Sequence, residues 1–190
     1  MNQSMNQTTQ LTVAKICHEM ANHLSILKFI QEDLADFDRP EIKEMLKTID
    51  LLSITMDFFR NIYSPKIDPV AVSKDLQQIY DLKEIEISDP DGVLQSVPEN
   101  LQSAIDAILY TIMKNSKPGD IVKVSKSDNG IILEIPTGRA LPQNILNAFV
   151  KTPVADDIFN IFVNYAKHLA SLDGFKILNE EDQIIFAEKR

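Results

Sequence analysis

The chain has 190 residues, 44% of them hydrophobic and 25% charged, the balance of an ordinary globular protein. A formal charge of −9 and a pI near 4.8 speak against nucleic acid, whose phosphates need a basic footprint, and favour a protein partner. No apolar run approaches the ~18–20 residues that span a bilayer, and the polar opening MNQSMNQTTQ lacks the apolar centre of a signal peptide. Cys17 is the one cysteine, so no intrachain disulfide can form, and a reducing cytoplasm is the expected location.

Residues 1–9 are polar and expected to be a disordered tail. From about residue 10 to 36 Val13, Ile16, Met20, Leu24, Leu27, Ile30 and Leu34 recur at steps of three and four, with no Gly or Pro between them, which predicts a helix. FDRP then breaks it, with Asp38 or Arg39 near the next N-cap and Pro40 in the first helical turn. In the second helix, to about residue 63, Ile42, Met45, Ile49, Leu52, Met56, Phe59 and Tyr63 alternate three-four without a slip, the pattern of a coiled-coil seam. Residues 10–63 thus read as a helical hairpin. A hairpin covers only one stripe of each helix, so a second copy completing a four-helix bundle is expected.

SPKIDP, 64–69, reads as a linker, and the remainder, 70–190, as a separate domain. A short helix over about 70–81 leads to the strand EIEIS and the turn DPDG. A longer helix runs from about 98 to 116. IVKVS and IILEI flank the turn SDNG as a β-hairpin. Short helices near 142–150 and 156–172 follow, and FKIL and QIIFA close the chain as a hairpin around NEED. Helices on an antiparallel or mixed sheet make this a small α+β sandwich.

The stretch KICHEMAN, 15–22, places His18 beside Glu19, with Asn22 one turn further on. With His18 set at zero and 100° per residue, Leu27, Met20 and Leu24 fall at about 180°, 200° and 240°, so the apolar stripe centres opposite His18. The His18 face carries Lys15, Asn22, Ser25 and Phe29 and is expected to be exposed. His23, at about 140° on the same wheel, reads as a structural histidine on the flank of the buried stripe. Cys17 reads as a small buried hydrophobe. His168 has no metal-spaced companion. An exposed neutral imidazole is a good nucleophile toward phosphorus near pH 7. Glu19 is placed to hold the proton on the second ring nitrogen, Asn22 to bond the phosphoryl group, and Lys15 to offset its charge.

This arrangement resembles the dimerisation and phosphotransfer hairpin of bacterial sensor histidine kinases, with its H-[ED]-x-x-[NT] motif. More narrowly it is similar to the ChpT-like histidine phosphotransferases of phosphorelays, which share the C-H-[DE] helix and a second helix ending in a phrase like DFFRNIYS, 57–64. The resemblance extends into the second domain, which looks like a degenerate kinase ATP-binding module. ILYTIMKNSKPGDIVKV keeps Lys114, Ser116 and Gly119 of the first box, but Thr111 stands where a magnesium-binding Asn is expected. Pro136 and Thr137 replace the start of D-x-G-x-G, and TPVADDIFN has no glycine where the phosphate segment belongs. Backbone cradling of phosphate needs such glycines, so ATP binding and kinase activity are not expected.

The resemblance implies that His18 takes a phosphoryl group from the aspartyl phosphate of one receiver domain and passes it to another. The receivers would belong to a hybrid histidine kinase and to response regulators, and would supply Mg²⁺, so the chain itself needs no cofactor or metal. Ser25 and Phe29 would meet the receiver, and basic residues among Lys114, Lys117, Lys123 and Arg139 would help hold it. The competing reading is a non-catalytic dimeric adaptor, or pseudokinase, that binds a response regulator without relaying phosphate.

Overall fold

The computed structural model describes residues 17, 20–34, 36–63, 69–136, 138–139, 141, 143–150, 158–180 and 182–189. The tail expected at 1–9 and most of the expected linker lie outside these residues, while Pro69 opens a helix. The protein is a mixed α+β chain with a five-stranded sheet, divided into two compact units between Leu82 and Lys83.

The first unit is helical: α1 (residues 20–34), α2 (Pro40–Ile62) and α3 (Pro69–Leu82). α2 starts where FDRP predicts. Arg39 is extended (φ −119°, ψ 131°) and Pro40 occupies the first turn, where its missing N–H costs nothing. Gln31 Nε2 donates to Asp50 Oδ1 at 2.9 Å and ties α1 to α2. α3 lies along α2. It buries Val72, Leu76, Ile79 and Tyr80, and Asn61 Nδ2 donates to Asp75 Oδ2 at 2.7 Å. The division therefore falls after α3, whereas the sequence placed 70–81 with the second domain. The reason is the 72/76/79/80 stripe of α3, which α2 meets with the fully buried Phe58 and Ile62.

The second unit holds β1 (Glu86–Ser88), a 3₁₀ turn (Val93–Gln95), α4 (Glu99–Met113), β2 (Ile121–Ser127), β3 (Gly130–Glu134), α5 (Gln143–Val150), α6 (Ile158–Leu172), β4 (Phe175–Glu180) and β5 (Gln183–Glu188). The strand order is β1-β2-β3-β5-β4, with β1 and β2 parallel and every other pair antiparallel. Period-two alternation sends Val122, Val124, Ile131, Leu133, Ile177, Ile184 and Phe186 to the buried face. Helices α4 and α5 pack on α6, and α5 and α6 also reach β4. α4 is apolar nearly all round and is buried from Leu101 to Met113. Asp173 caps its start, accepting from Leu101 N (2.8 Å) and Asn100 Nδ2 (3.1 Å). At the β2–β3 turn Gly130 (φ +154°) lies against the backbone of Phe186, where any Cβ would collide with the carbonyl oxygen. No helix among the described residues is long and apolar enough to cross a membrane.

Candidate functional site

Lys15, His18 and Glu19 lie outside the described residues, so the site is approached from its described neighbours on α1. Asn22, Ser25 and Phe29 are all exposed, Phe29 to 69%. Ser25 Oγ turns back to donate to Ala21 O at 2.8 Å, a helix-local bond that leaves the hydroxyl oxygen able to accept. A different side of α1 meets α2. Cys17, Leu24 and Met56 form a buried cluster, joined by Ala21 and Phe59. Cys17 Sγ lies 4.0 Å from Met56 O, and burial raises its thiol pKa, with Arg60 pulling weakly the other way. Cys17 is the small buried hydrophobe that the sequence suggests.

Two expectations about this helix change. The contact with α2 is made by Cys17, Ala21 and Leu24, which is rotated from the apolar stripe centred on Met20 and Leu27. Those two remain 44% and 38% exposed. Small side chains at 17 and 21 let the helices approach closely, and the larger apolar residues fall beside the contact. His23 is exposed and is therefore not the structural histidine of the flank. The seam of α2 likewise separates into two series. Ile49, Met56 and Tyr63, seven apart, are buried, while Met45 and Leu52 are 40% and 43% exposed. Ile26, also strongly exposed, sits near Phe29 on the outer side of α1 and was not singled out by the sequence.

In the second unit, Thr111 and Arg139 are both engaged within the fold. Thr111 is fully buried and its Oγ1 donates to Ala107 O at 2.9 Å, one turn back along α4. Arg139 grips Asp120 with two bonds, Nε to Oδ2 at 2.9 Å and Nη2 to Oδ1 at 3.3 Å. These bonds, with Lys117 N donating to the same carboxylate, hold the Asp120 pKa below the usual range. The pair pins the loop after β3 to the turn before β2. Thr137 lies outside the described residues, and Pro136 is buried. Of the basic residues considered, Arg139 is thus committed to Asp120, and Lys123 Nζ stands 3.9 Å from Glu134. Lys114 is exposed, with Nζ 5.6 Å from the centre of the Tyr110 ring. Lys83, not noticed in the sequence, is close enough for Lys114 to lower its pKa further below the value that burial sets. His168 is half-buried, and no group of three potential metal-binding side chains occurs among the described residues.

No protein-family model matches the chain, and no curated protein does. Among solved structures, a bacterial phosphotransferase aligns over 95% of this chain and 96% of its own, with a TM-score of 0.61 and 16% identity. A histidine kinase from Burkholderia phymatum STM815 aligns over 97% of this chain and 96% of its own, at 11% identity and a TM-score of 0.35. The chain thus shares the fold of the bacterial phosphotransferase.

Proposed function

We propose that this chain is a histidine phosphotransferase of a bacterial phosphorelay, of the ChpT-like kind, acting in the cytoplasm through His18. The observation that carries the reading is the outward face of α1. Asn22, Ser25 and Phe29 are exposed and take no part in the Cys17–Leu24–Met56 contact. The sequence's helical wheel, at 100° per residue, is what supports the expectation that His18 shares their side.

The transfer runs between acyl phosphates. A ring nitrogen of His18 attacks the phosphorus of a receiver's aspartyl phosphate, the P–O bond to the aspartate breaks, and that side chain leaves as a carboxylate. The proton on the second ring nitrogen passes to Glu19 as the N–P bond forms, and the reverse steps deliver the group to another receiver. Asn22 bonds the phosphoryl oxygens and Lys15 offsets their charge. Catalysis is positioning and charge neutralisation, with Mg²⁺ brought by the receiver. Ser25, Phe29 and Ile26 form the surface on which the receiver sits. Of the four basic residues considered in the second unit, Arg139 and Lys123 already face carboxylates, so Lys114 and Lys117 are the ones proposed to meet the receiver.

Two parts of this reading concern assembly and nucleotide. The open apolar faces of α1 and α2, with Met20, Leu27, Met45 and Leu52, support a homodimer closed as a four-helix bundle. Thr111, which stands where a magnesium-binding Asn is expected and is buried with its hydroxyl on Ala107 O, together with the missing phosphate-loop glycines, supports a kinase-like module that does not take ATP.

The test is transfer from a phosphorylated receiver. The wild-type chain acquires acid-labile label, and His18→Ala acquires at least about a thousandfold less, the scale of losing a covalent nucleophile. Label retained by His18→Ala sinks the proposal. Receiver binding without transfer by the wild type would establish the adaptor instead.

A further inference from the structure

The outermost strand of the sheet has an edge complementary to itself. β4 ends the strand order, and no described strand lies beyond it. Lys189 N donates to Gly174 O at 2.8 Å, and the register continues from Phe175↔Glu188 to Glu180↔Gln183. Bonded and non-bonded pairs alternate along an antiparallel ladder. Residues in phase with Gly174, namely Lys176, Leu178 and Glu180, therefore direct their backbone groups to β5. Phe175, Ile177 and Asn179 direct theirs to the open edge. The side chains also alternate. Ile177 is buried, so Lys176, Leu178 and Glu180 share the outer face of the sheet, and all three are exposed.

We infer that β4 pairs antiparallel with β4 of a second copy of this chain, about a two-fold axis at Leu178. In that register Lys176 of each copy stands opposite Glu180 of the other, and the two Leu178 side chains meet on the axis. Ile177 and Asn179 exchange backbone bonds across the junction. The apolar row made by the pairs Ile132↔Ile185 and Leu178↔Ile185 then continues from one sheet onto the next. A lysine on an edge strand commonly guards against pairing. Here the guard is cancelled, because the symmetric register supplies each lysine with a glutamate. This contact is separate from the hairpin dimer and does not depend on the phosphotransfer reading.

Sedimentation of the full chain over a concentration series at low ionic strength tests it, with Met45→Lys and Leu52→Lys present to remove the hairpin contact. Self-association should persist. Lys176→Glu or Glu180→Lys alone should weaken it about tenfold, since two favourable cross-strand pairs become two repulsive ones. An equimolar mixture of the two single variants, or both changes in one chain, should restore it. A monomer at every concentration, single reversals without effect, or a double reversal that stays weak would each overturn the inference. Independently, Leu178→Cys should give a disulfide-linked dimer on oxidation, because Cys17 is buried. A failure to cross-link counts against the register.

Discussion

Helices α4 and α1 are equally plain as helices in the sequence, yet their surroundings are opposite. α4 is buried without a break from Leu101 to Met113. α1 leaves Met20, Ile26, Leu27, Phe29 and Ile30 open to solvent. The contrast separates two uses of apolar surface. In the α+β unit the helices and one sheet face satisfy each other within the chain. In the helical unit a group of large apolar side chains is left uncovered by the described residues, as surfaces that bind another molecule often are.

Substitutions that treat the two helices alike should separate them sharply. Ile108→Ala removes a fully buried side chain and should cost about 2–5 kcal/mol, while Ile26→Ala should stay within about 0.5 kcal/mol. Chemical denaturation of both variants decides the point. A large loss at Ile26 would mean that this side chain is covered in the folded protein. Next in size is the hairpin face. If the proposed hairpin dimer forms, Leu52→Lys should leave the monomer folded but weaken dimerisation by roughly ten- to a hundredfold, because a charge replaces an exposed apolar side chain of that face. Light scattering in a Lys176→Glu background, which weakens the edge-strand contact, reads this, and an unchanged mass at micromolar concentration would move the partner surface elsewhere.

The same contrast explains what the sequence could and could not reveal. The element types and most boundaries were legible: α2 begins at Pro40 as FDRP predicts, and β2 and β3 flank the Asp128–Asn129 turn. Local chemistry decides those features. Which side of α1 faces α2 was less legible, because the 3.6-residue stripe sums every apolar face and cannot say which partner takes which part. Cys17 and Ala21 make the contact within the hairpin, leaving Met20 and Leu27 aside. His23 was misassigned for that reason. The allocation of α3 to the first unit depends on long-range bonds such as Asn61 to Asp75, which no local pattern announces. On the site itself the sequence remains the main witness, since Asn22, Ser25 and Phe29 are described while Lys15, His18 and Glu19 are not.

The smallest effect concerns how α3 is held to α2. Burial raises the pKa of Asp75 above the ordinary carboxylate value. The bond from Asn61 opposes that shift, Asp57 adds to it, and the charges of Arg60 and Lys74 pull it down. A carboxyl that is harder to ionise when folded contributes its full stability below its unfolded pKa. It loses that contribution as pH rises through the folded one, and the curve is flat above that. Asp75→Asn keeps an oxygen to accept from Asn61 Nδ2 and carries no charge. The variant should therefore melt above the wild type at neutral pH, and the gap should shrink as pH falls through the raised folded pKa toward the unfolded one. Because the group is partly open to water the difference is small, on the order of 2 °C or less. Paired thermal melts from pH 4 to 8 measure it. A gap that widens toward acid would show that ionised Asp75 strengthens the α2–α3 contact, and that its bond to Asn61 outweighs the cost of burying the charge.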